Sequence, residues 1–323
     1  MAFGGKKTIL LTGATGFVGS RVCARLMADG YDLRCAIREE SQDGNSVVVG
    51  DIGSETPWGD ALMGVSAVIH LAACVNVMNA NVNDQLTEFR RVNVAGTLNL
   101  ARQAAVAGVE RFIFLSTVKV IGEETAAGQP FTEKDETRPQ GPYGITKLEA
   151  EMGMRRLAEE SDMEVVIIRP PLVYGPCAKG YFGNMQRWVH KGIPLPLGTI
   201  HNQRSLIAID NLVDFIITCI AHPAAGNETF LVADGENLST TELLRRAGKA
   251  MSKPARLFPM PEWLLKCGAR MLGRQAMAQR LCGNLQVDIS KAREVLGWSP
   301  PLSVDEGLRR AVCGTRSEAH EKS

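Results

Sequence analysis

Short apolar runs alternate with longer amphipathic segments through the first half of the chain. The apolar runs predict five buried strands, at residues 8–11, 32–37, 46–49, 67–71 and 111–116. The segments between them, such as 18–29 and 84–107, have helical periodicity. Strands that alternate with helices in this way are typical of a right-handed, doubly wound parallel sheet. The predicted fold class is therefore α/β, with ligands expected at the carboxyl edge of the sheet.

The first strand ends in a glycine-rich turn. Residues 7–19 read KTILLTGATGFVG, so Gly13, Gly16 and Gly19 lie between the strand and the first helix. Such glycines make the tight turn, let the backbone approach a pyrophosphate, and let helix and strand pack closely. The helix N-terminus favours an anion through its unpaired N–H groups and its dipole. The motif predicts a dinucleotide site, with an ordinary strand-to-helix turn as the alternative.

Composition narrows the possible partners. The 323 residues are 45% hydrophobic, which suffices for one large core and a smaller lobe. The chain has 36 Lys and Arg against 35 Asp and Glu, a net charge of +1, so no overall field favours nucleic acid or an anionic membrane. The expected partner is a small molecule.

Cysteine spacing and hydropathy add two expectations. The eight cysteines are scattered singly, without a CxxC pair or a nearby histidine at zinc spacing, so we expect no metal site. The N-terminus is short, and no apolar run is long enough to span a bilayer. We therefore expect a cytoplasmic protein without a membrane span.

The residues after the second strand bear on the choice of dinucleotide. An NAD site commonly has an acidic residue here that binds the ribose 2′-hydroxyl. This chain has Ile37 at the strand end and Arg38 next, and a guanidinium can bind a 2′-phosphate. Glu39 or Glu40 can instead accept the ribose hydroxyl. The sequence favours NADP(H), and NAD(H) stays open.

Two further strand ends carry candidate cofactor residues. Asp51 follows the third strand and can accept from an adenine amino group, although a loop cap is the commoner role of such a residue. Ala72 and Ala73 follow the fourth strand, and their small side chains leave room for a ligand. Close packing of helix on sheet would also explain these alanines.

A candidate catalytic set follows the fifth strand, which ends in Ser116 and Thr117. The next helix contains Tyr143 and Lys147, whose four-residue spacing places them on one face. We expect the Lys147 ammonium, with a positively charged oxidised nicotinamide, to lower the pKa of Tyr143 from about 10 towards neutral. Tyr143 can then exchange a proton with a substrate oxygen to which Thr117 also hydrogen-bonds. A surface Tyr–Lys pair is the alternative, because YxxxK is common by chance.

Eight segments occur in order between residues 7 and 311: TGATGFVG, GDI, HLAA, VNVAGTLNL, FIFLSTVKVIG, PYGITKLEAE, RPPLVYGP and DISKAREVLGWSP. Together they resemble the extended short-chain dehydrogenase/reductase family, the NAD-dependent nucleotide-sugar epimerases, dehydratases and reductases. The resemblance implies a Rossmann sheet and the catalytic residues Thr117, Tyr143 and Lys147. It also implies a cofactor-binding set, namely Gly13, Thr15, Gly16, Phe17, Val18, Gly19, Arg38, Asp51, Ile52, Leu71, Ala72, Ala73, Asn93, Tyr143, Lys147, Pro170 and Leu172.

The resemblance further implies two domains. Residues 1–170 would form the dinucleotide-binding domain, and residues 171–323 mainly a smaller C-terminal α/β lobe for the nucleotide sugar, with some segments returning to the first domain. Arg204 matches the family arginine that reaches the nucleotide diphosphate, and Arg280 is the candidate for a second one. Thr117 and Tyr143 would also contact the substrate. For either arginine, a surface salt bridge is the alternative.

Other residues of this half are interpreted as architecture. We expect Asp210 to cap the helix that follows it. Asp288 and Ser290 would cap a short helix, and Trp298 would be buried. The stretch 261–281 is apolar with interspersed Lys and Arg; a helix that packs on the core of its own lobe is favoured over one that rests on a membrane.

Differences from the family patterns reduce the number of reactions to consider. Dehydratases of the family place Asp-Glu after the Ser-Thr pair, whereas this chain has Val118 and Lys119. Because Arg38 suggests an exchanged NADPH, the first hypothesis is reduction of UDP-4-keto-6-deoxy-N-acetylglucosamine to UDP-N-acetylquinovosamine, in lipopolysaccharide O-antigen biosynthesis. The alternative is a UDP-glucose or UDP-N-acetylglucosamine 4-epimerase. A non-catalytic dinucleotide-binding regulator is the third hypothesis, and the presence of all three catalytic residues argues against it.

The resemblance also implies a homodimer. Helix 84–107 and the helix of Tyr143 would form a four-helix bundle with their symmetry mates. Both helices carry apolar residues that can cover such an interface, although some must face the sheet. These residues are Phe89, Val92, Leu100, Met152 and Leu157.

Overall fold

The computed structural model describes residues 7–39, 44–75, 82–178 and 180–320; Glu40 lies outside them. Within these described ranges, ten strands form two sheets. The strands are β1 (Thr8–Thr12), β2 (Asp32–Ile37), β3 (Ser46–Val48), β4 (Ala67–His70), β5 (Arg111–Leu115), β6 (Glu164–Arg169), β7 (Leu172–Tyr174), β8 (Arg204–Ala208), β9 (Thr229–Leu231) and β10 (Asn237–Leu238). The main sheet has the order β3-β2-β1-β4-β5-β6-β9 with all strands parallel, so the predicted doubly wound α/β fold is confirmed.

In the part of the chain that the structure describes, twelve α-helices surround and extend the sheets. They are α1 (Phe17–Ala28), α2 (Gly59–Leu62), α3 (Val82–Arg90), α4 (Thr97–Val106), α5 (Gly141–Glu160), α6 (Gly180–His190), α7 (Ile209–Ala221), α8 (Thr240–Ala250), α9 (Glu262–Met271), α10 (Gln275–Cys282), α11 (Ser290–Leu296) and α12 (Val304–His320). Within the described ranges, none of these helices has the length and apolar character that crossing a membrane requires.

Both faces of the main sheet are covered. Successive residues of β1 point to opposite faces, so Ile9 and Leu11 pack with α1 and α7, whereas Leu10 packs with α4 and α5. This double burial explains why the strands are continuous apolar runs in the sequence rather than alternating ones. Burial on both sides fixes the register of the strands, and therefore the relative positions of their carboxyl ends.

The single helix expected over 84–107 is in fact three segments. A π-helical stretch, Arg91–Gly96, separates α3 from α4. Gly96 packs so closely that a Cβ there would lie 2.6 Å from Ile52 Cγ2. Within the π-helical stretch, Asn93 forms hydrogen bonds to the backbone of Cys74. These tertiary contacts, which local periodicity does not contain, account for the local widening of the helix.

The smaller lobe is built on the sheet β7-β8-β10, in which β7 and β8 are parallel and β8 and β10 antiparallel. Helices α6, α8 and α12 supply its apolar core. At its centre the buried hydroxyl of Tyr174 donates to Asp234 Oδ2 at 2.7 Å. Two segments after residue 171 pack on the first half of the molecule instead, since β9 pairs with β6 and α7 contacts α1.

Four architectural expectations have mixed outcomes. Trp298 is buried and donates to Asp214, as expected, and Asp288 accepts from the backbone and hydroxyl of Ser290. Asp210 is not a cap; it lies in the first turn of α7, where its charge faces the positive end of the helix dipole and pairs with Arg310. The expectation that 261–281 packs on the core of its own lobe is met by α10, which buries Ala278, Leu281 and Cys282, and only in part by α9, where Leu265 packs against that core but no residue is fully buried.

Candidate active site

The predicted site residues lie at the carboxyl ends of neighbouring strands of the main sheet. From one side of the sheet to the other they are Asp51 and Ile52 after β3, Arg38 after β2, Gly13 to Gly19 after β1, Leu71 to Ala73 after β4, Thr117 after β5, and Pro170 after β6, with Leu172 opening β7. Residues far apart in the sequence therefore share one edge, which is where parallel α/β sheets bind their ligands.

The glycine-rich turn has the geometry of an anion cradle. Gly13 has φ +73°, and a Cβ there would lie 2.8 Å from the backbone nitrogen of Ala72. A Cβ on Gly19 would lie 2.0 Å from the Gly13 carbonyl oxygen, so no larger residue fits at that position. No side chain caps α1, whose N-cap residue is Gly16. The first N–H groups of α1 are therefore available to an anion.

Beyond β2 and β3, the two residues assigned to opposite ends of the adenosine contact each other. Arg38 Nε lies 3.4 Å from Asp51 Oδ1, and the two side chains are 80% and 73% exposed. The carbonyl oxygen of Asp51 accepts from the Thr56 hydroxyl at 2.8 Å, and no described residue donates a hydrogen bond to the Asp51 carboxylate. The guanidinium is therefore shared with a carboxylate, which would repel a 2′-phosphate placed between them.

A buried histidine that the sequence interpretation missed supports the end of β4. His70 lies between the hydroxyls of Thr12, at 2.7 Å, and Thr97, at 2.9 Å, and links β1, β4 and α4. Burial, with a smaller contribution from Lys147, lowers the pKa of His70 to about 3, so the ring is neutral. The Thr12 hydroxyl also accepts from the N–H of Ala72. This network fixes the backbone beside the glycine turn.

Asn93 occupies a structural position behind the same edge. It is buried, and its amide bonds the N–H and C=O of Cys74 at 2.7 and 3.0 Å and the hydroxyl of Thr146 at 3.2 Å. Asn93 therefore ties the segment after β4 to helix α5. A direct contact between Asn93 and a cofactor stays a prediction.

The three candidate catalytic residues converge where β5 ends and α5 begins. Thr117 follows β5, and its hydroxyl accepts from the N–H of Lys119 at 3.3 Å. Tyr143 and Lys147 occupy successive turns of α5. The Lys147 side chain, 1% exposed, donates to the Leu115 carbonyl at 2.8 Å and lies 4.4 Å from the centre of the Phe114 ring. Tyr143 packs edge-on against Phe89.

The expected lowering of the Tyr143 pKa includes the charge of a bound oxidised nicotinamide and stays a prediction; in the protein without cofactor the shift is in the opposite direction. Burial raises the pKa of Tyr143 to about 12 and lowers that of Lys147 to about 7, with Glu151 partly offsetting the shift of Lys147. The reason is desolvation, which disfavours phenolate and ammonium alike. Any lowering of the Tyr143 pKa therefore requires positive charge in addition to that of Lys147.

A buried charged network lies directly beneath the catalytic residues. Glu151 follows Lys147 by one helical turn and accepts from Ser116 Oγ at 2.5 Å and from Arg169 at 2.5 and 3.0 Å. Both Glu151 and Arg169 are buried, and Arg169 Nη1 has no hydrogen-bond partner among the described residues. The sequence did carry a signal for Glu151, because Tyr143, Lys147 and Glu151 recur every four residues on one face.

The two arginines assigned to the smaller lobe do come together. Arg204 begins β8 and donates to the Gly283 carbonyl at 2.9 Å, while its buried Nε has no hydrogen-bond partner within the described ranges. Burial lowers the pKa of Arg204; Tyr181 and Glu124 oppose the shift, and Arg280 adds to it by like-charge repulsion. Neither arginine forms a salt bridge with another described residue, so the surface-salt-bridge alternative is not supported.

Comparisons with known proteins agree with this geometry. The family model for the "NAD dependent epimerase/dehydratase family" matches residues 9–233. The chain is 46% identical over 310 residues to a Vibrio cholerae protein named "UDP-glucose 4-epimerase", covering 95% of this chain and 94% of that one.

Two solved structures are similar over nearly their full length. One is MoeE5 in complex with UDP-glucuronic acid and NAD, at 25% identity, TM-score 0.77, and coverage of 97% of this chain and 100% of the other. The second, UDP-N-acetylglucosamine 4-epimerase from Bacillus cereus, has 21% identity and a TM-score of 0.79, with coverage of 96% and 100%, and shows the shared fold. The chain therefore belongs to the NAD-dependent epimerase/dehydratase family of extended short-chain dehydrogenases/reductases, and is an enzyme of that kind.

Proposed function

We propose that the protein is a UDP-hexose 4-epimerase that retains NAD. The observation that carries this proposal is the 46% identity, over almost the whole of both chains, to the Vibrio cholerae protein named "UDP-glucose 4-epimerase". This similarity favours the 4-epimerase over the 4-keto reductase, which was the first hypothesis from the sequence. The catalytic residues serve either reaction, so the choice depends on the cofactor and on whether it is consumed.

The residues at the sheet edge fit a dinucleotide. The space in front of Gly13 and Gly19 would be filled by any Cβ, and the uncapped start of α1 offers N–H groups to a pyrophosphate. We assign the pyrophosphate to residues 13–19, the adenosine to Arg38, Asp51 and Ile52, and the nicotinamide half to residues 71–73, Lys147 and Pro170. When bound, NAD would supply a hydride acceptor and later a hydride donor.

Thr117 and Tyr143 are proposed to hold the oxygen on C4 of the sugar. Tyr143 would take the C4 hydroxyl proton as the hydrogen leaves C4, and return it when the hydrogen is restored on the opposite face. Because burial raises the Tyr143 pKa to about 12, the phenol keeps its proton until a positive charge is nearby. Lys147, held by the Leu115 carbonyl, would provide part of that charge.

The choice between NAD and NADP follows from Arg38. The sequence favoured NADP(H) because a lone guanidinium can bind a 2′-phosphate, but Arg38 shares its charge with Asp51 at 3.4 Å. Both side chains are largely exposed, where water and salt weaken their pull on a phosphate. We propose NAD(H) as the cofactor, with Asp51 or Glu39 accepting from the ribose or adenine.

In the smaller lobe, Arg204 and Arg280 are proposed to bind the UDP diphosphate. The Nε of Arg204 has no hydrogen-bond partner among the described residues, and a phosphate oxygen would accept from it. The two negative charges of the diphosphate would also offset the repulsion between the two guanidiniums.

A homodimer through α5 and the helical segment 84–107, which comprises most of α3, the π-helical stretch and α4, is a further proposal. Met152 is exposed, as such an interface needs, whereas Phe89 and Leu100 are buried within the chain.

Purified protein separates the epimerase from the reductase. The epimerase should carry bound NAD and should equilibrate UDP-glucose with UDP-galactose, or their N-acetylated analogues, without net change at the nicotinamide absorbance band. Consumption of NADPH in proportion to an added UDP-4-keto-6-deoxyhexosamine would instead establish the reductase. Dinucleotide binding without turnover of any UDP-hexose would indicate a regulator.

A further inference from the structure

Helices α9 and α10 form an exposed surface on the smaller lobe that is both apolar and basic. Six of the fourteen large apolar side chains exposed in the described part of the chain lie within only twenty residues, at Phe258, Trp263, Leu264, Met271, Leu272 and Met277. Trp263 is 66% exposed, Met271 88% and Leu272 76%. Apolar groups concentrated in this way on a water-soluble surface mark an interaction site.

The exposed apolar residues of α9 form a continuous stripe. Trp263, Cys267 and Met271 are spaced four residues apart and therefore lie on one face of the helix. Leu265, on another face, packs against the core of the lobe. The outward stripe is thus separate from the contact that holds α9 to the protein, and it continues into Leu272 in the turn before α10.

Basic side chains border the stripe. Residues 261–282 contain four cationic residues and one acidic one, a net charge of +3 in a chain whose total is +1. Lys266 pairs with Glu262 at 3.5 Å. Arg270 and Arg274 form no ion pair with any residue that the structure describes, so their charges face outward. The rest of the chain is slightly acidic, and the positive charge is concentrated where the apolar side chains are exposed.

This charge pattern distinguishes between two partners for the surface, a second copy of the chain and an anionic lipid bilayer. In a two-fold symmetric contact between two copies, the surface would meet itself, and its unpaired cations would face like charges. An anionic bilayer has the complementary charge, and its interfacial region accepts Trp and aliphatic side chains while the basic groups remain at the headgroups. The combination of an apolar stripe, an exposed Trp and flanking Lys and Arg is that of a helix lying in the plane of an interface.

We propose that the α9–α10 surface, defined by Trp263, Leu264, Lys266, Arg270, Met271, Leu272 and Arg274, docks the protein on an anionic lipid bilayer. The contact is peripheral and places no segment across the membrane. Helix α10 also carries Arg280, which we assign to the UDP diphosphate. Docking would therefore bring this part of the smaller lobe to the lipid surface. The proposal does not depend on which sugar the enzyme takes, and vesicle binding can be measured without turnover.

Co-sedimentation with vesicles tests the docking directly. The purified full chain should bind vesicles of phosphatidylcholine with a quarter phosphatidylglycerol, and should bind pure phosphatidylcholine at least tenfold less well. Each basic residue near an anionic surface contributes about a fivefold factor, so Arg270→Glu/Arg274→Glu should weaken binding by about 25-fold or more. The matched control is Arg245→Glu/Lys249→Glu, which makes the same charge change on an exposed part of α8 and should bind better than the α9–α10 variant by tenfold or more.

The apolar part of the contact has its own control and its own reporter. Trp263→Ser/Met271→Ser should reduce vesicle binding about tenfold, whereas Met63→Ser, at a methionine that is 70% exposed on the other half of the molecule, should not. Lipids brominated on their acyl chains should quench the emission of Trp263. Trp263→Phe keeps an aromatic group and should still bind. Most of the quenching should be lost in this variant, because Trp58 and Trp298 are buried and Trp188 packs half-buried against the core of the lobe.

Three results would overturn the proposal. One is failure to bind anionic vesicles at millimolar lipid, and another is equal loss of binding in the α9–α10 variants and their controls. The third is sedimentation velocity showing that the wild type self-associates through this surface and that Arg270→Glu/Arg274→Glu separates the copies. A second copy would then be the occupant.

Discussion

Helices α5 and α9 differ in the burial of their charged residues. On α5, Lys147 and Glu151 point into the protein and are almost fully buried, and each has partners from neighbouring strands. On α9 no residue is buried, and both its cations and its apolar stripe face outward. Buried charge is tolerated only where polar partners are already in place, and such sites are where chemistry is carried out. Exposed apolar groups beside charge indicate a surface for another molecule.

The largest expected effect is at the reacting atom on α5. Tyr143→Phe should lower turnover by about 10³- to 10⁴-fold, because it removes only the group that moves the proton. Bound NAD and the unfolding midpoint should be unchanged. Tyr31→Phe, on the turn before β2, is the control and should keep full activity. Near-normal turnover in Tyr143→Phe would show that another group exchanges the C4 hydroxyl proton.

The second largest effect is expected for the stability of the protein when the buried carboxylate of Glu151 is neutralised. Glu151→Gln leaves the Arg169 guanidinium buried without a counter-charge, and should lower the free energy of unfolding by about 3–5 kcal/mol. Glu149→Gln is the matched control on the same helix; it breaks the exposed pair with Arg90 and should cost less than about 1 kcal/mol. Denaturant titration of both variants measures the difference. Equal losses would mean that the Ser116–Glu151–Arg169 network is not critical for stability.

The buried lysine predicts a pH dependence of stability. Burial lowers the pKa of Lys147 to about 7, so above that pH the folded cofactor-free protein loses a proton that the unfolded chain keeps until its ordinary pKa of 10.5. Stability should therefore rise with pH across this window, by about 1.4 kcal/mol per pH unit relative to Lys147→Met. Below pH 7 the two curves should run parallel. Curves that are parallel at every pH would contradict the shift.

The smallest effect is expected at Arg38. Since Arg38 is exposed and paired with Asp51, Arg38→Ala should change the ratio of NADH to NADPH affinity by less than about threefold. Binding titrations of cofactor-stripped protein with each dinucleotide measure the ratio. A strong preference for NADPH that Arg38→Ala abolishes would restore the NADP(H) hypothesis and, with it, the reductase.

Sequence patterns predicted the strands of the main sheet well, because a strand buried on both faces appears in the sequence as a continuous apolar run. The bounds of β2 were predicted without error, and β4 and β5 each ended one residue before the predicted limit. Other features depend on distant contacts. The π-helical turn needs Ile52 and Cys74, and the His70 network needs Thr12 and Thr97 from other elements.

The sequence of α9 illustrates a different limit. Its amphipathic pattern predicts correctly that the helix has an apolar face, but periodicity does not state what covers that face. The sequence interpretation assigned the helix to the core of its own lobe. Leu265 does pack there, whereas Trp263, Cys267 and Met271 face outward. The pKa of Tyr143 illustrates a related limit, since the residue spacing identified its lysine neighbour but not the burial that raises the pKa in the protein without cofactor.

The most direct test of the epimerase proposal follows the hydrogen on C4. UDP-glucose deuterated at C4, incubated with purified protein in ordinary water without added cofactor, should yield UDP-galactose that keeps its deuterium at C4, as read by NMR and mass spectrometry. Retention shows that the hydrogen leaves and returns within one active site. Absence of the C4 epimer from this and the other UDP-hexoses, or an epimer that has lost its deuterium, would contradict the proposed function.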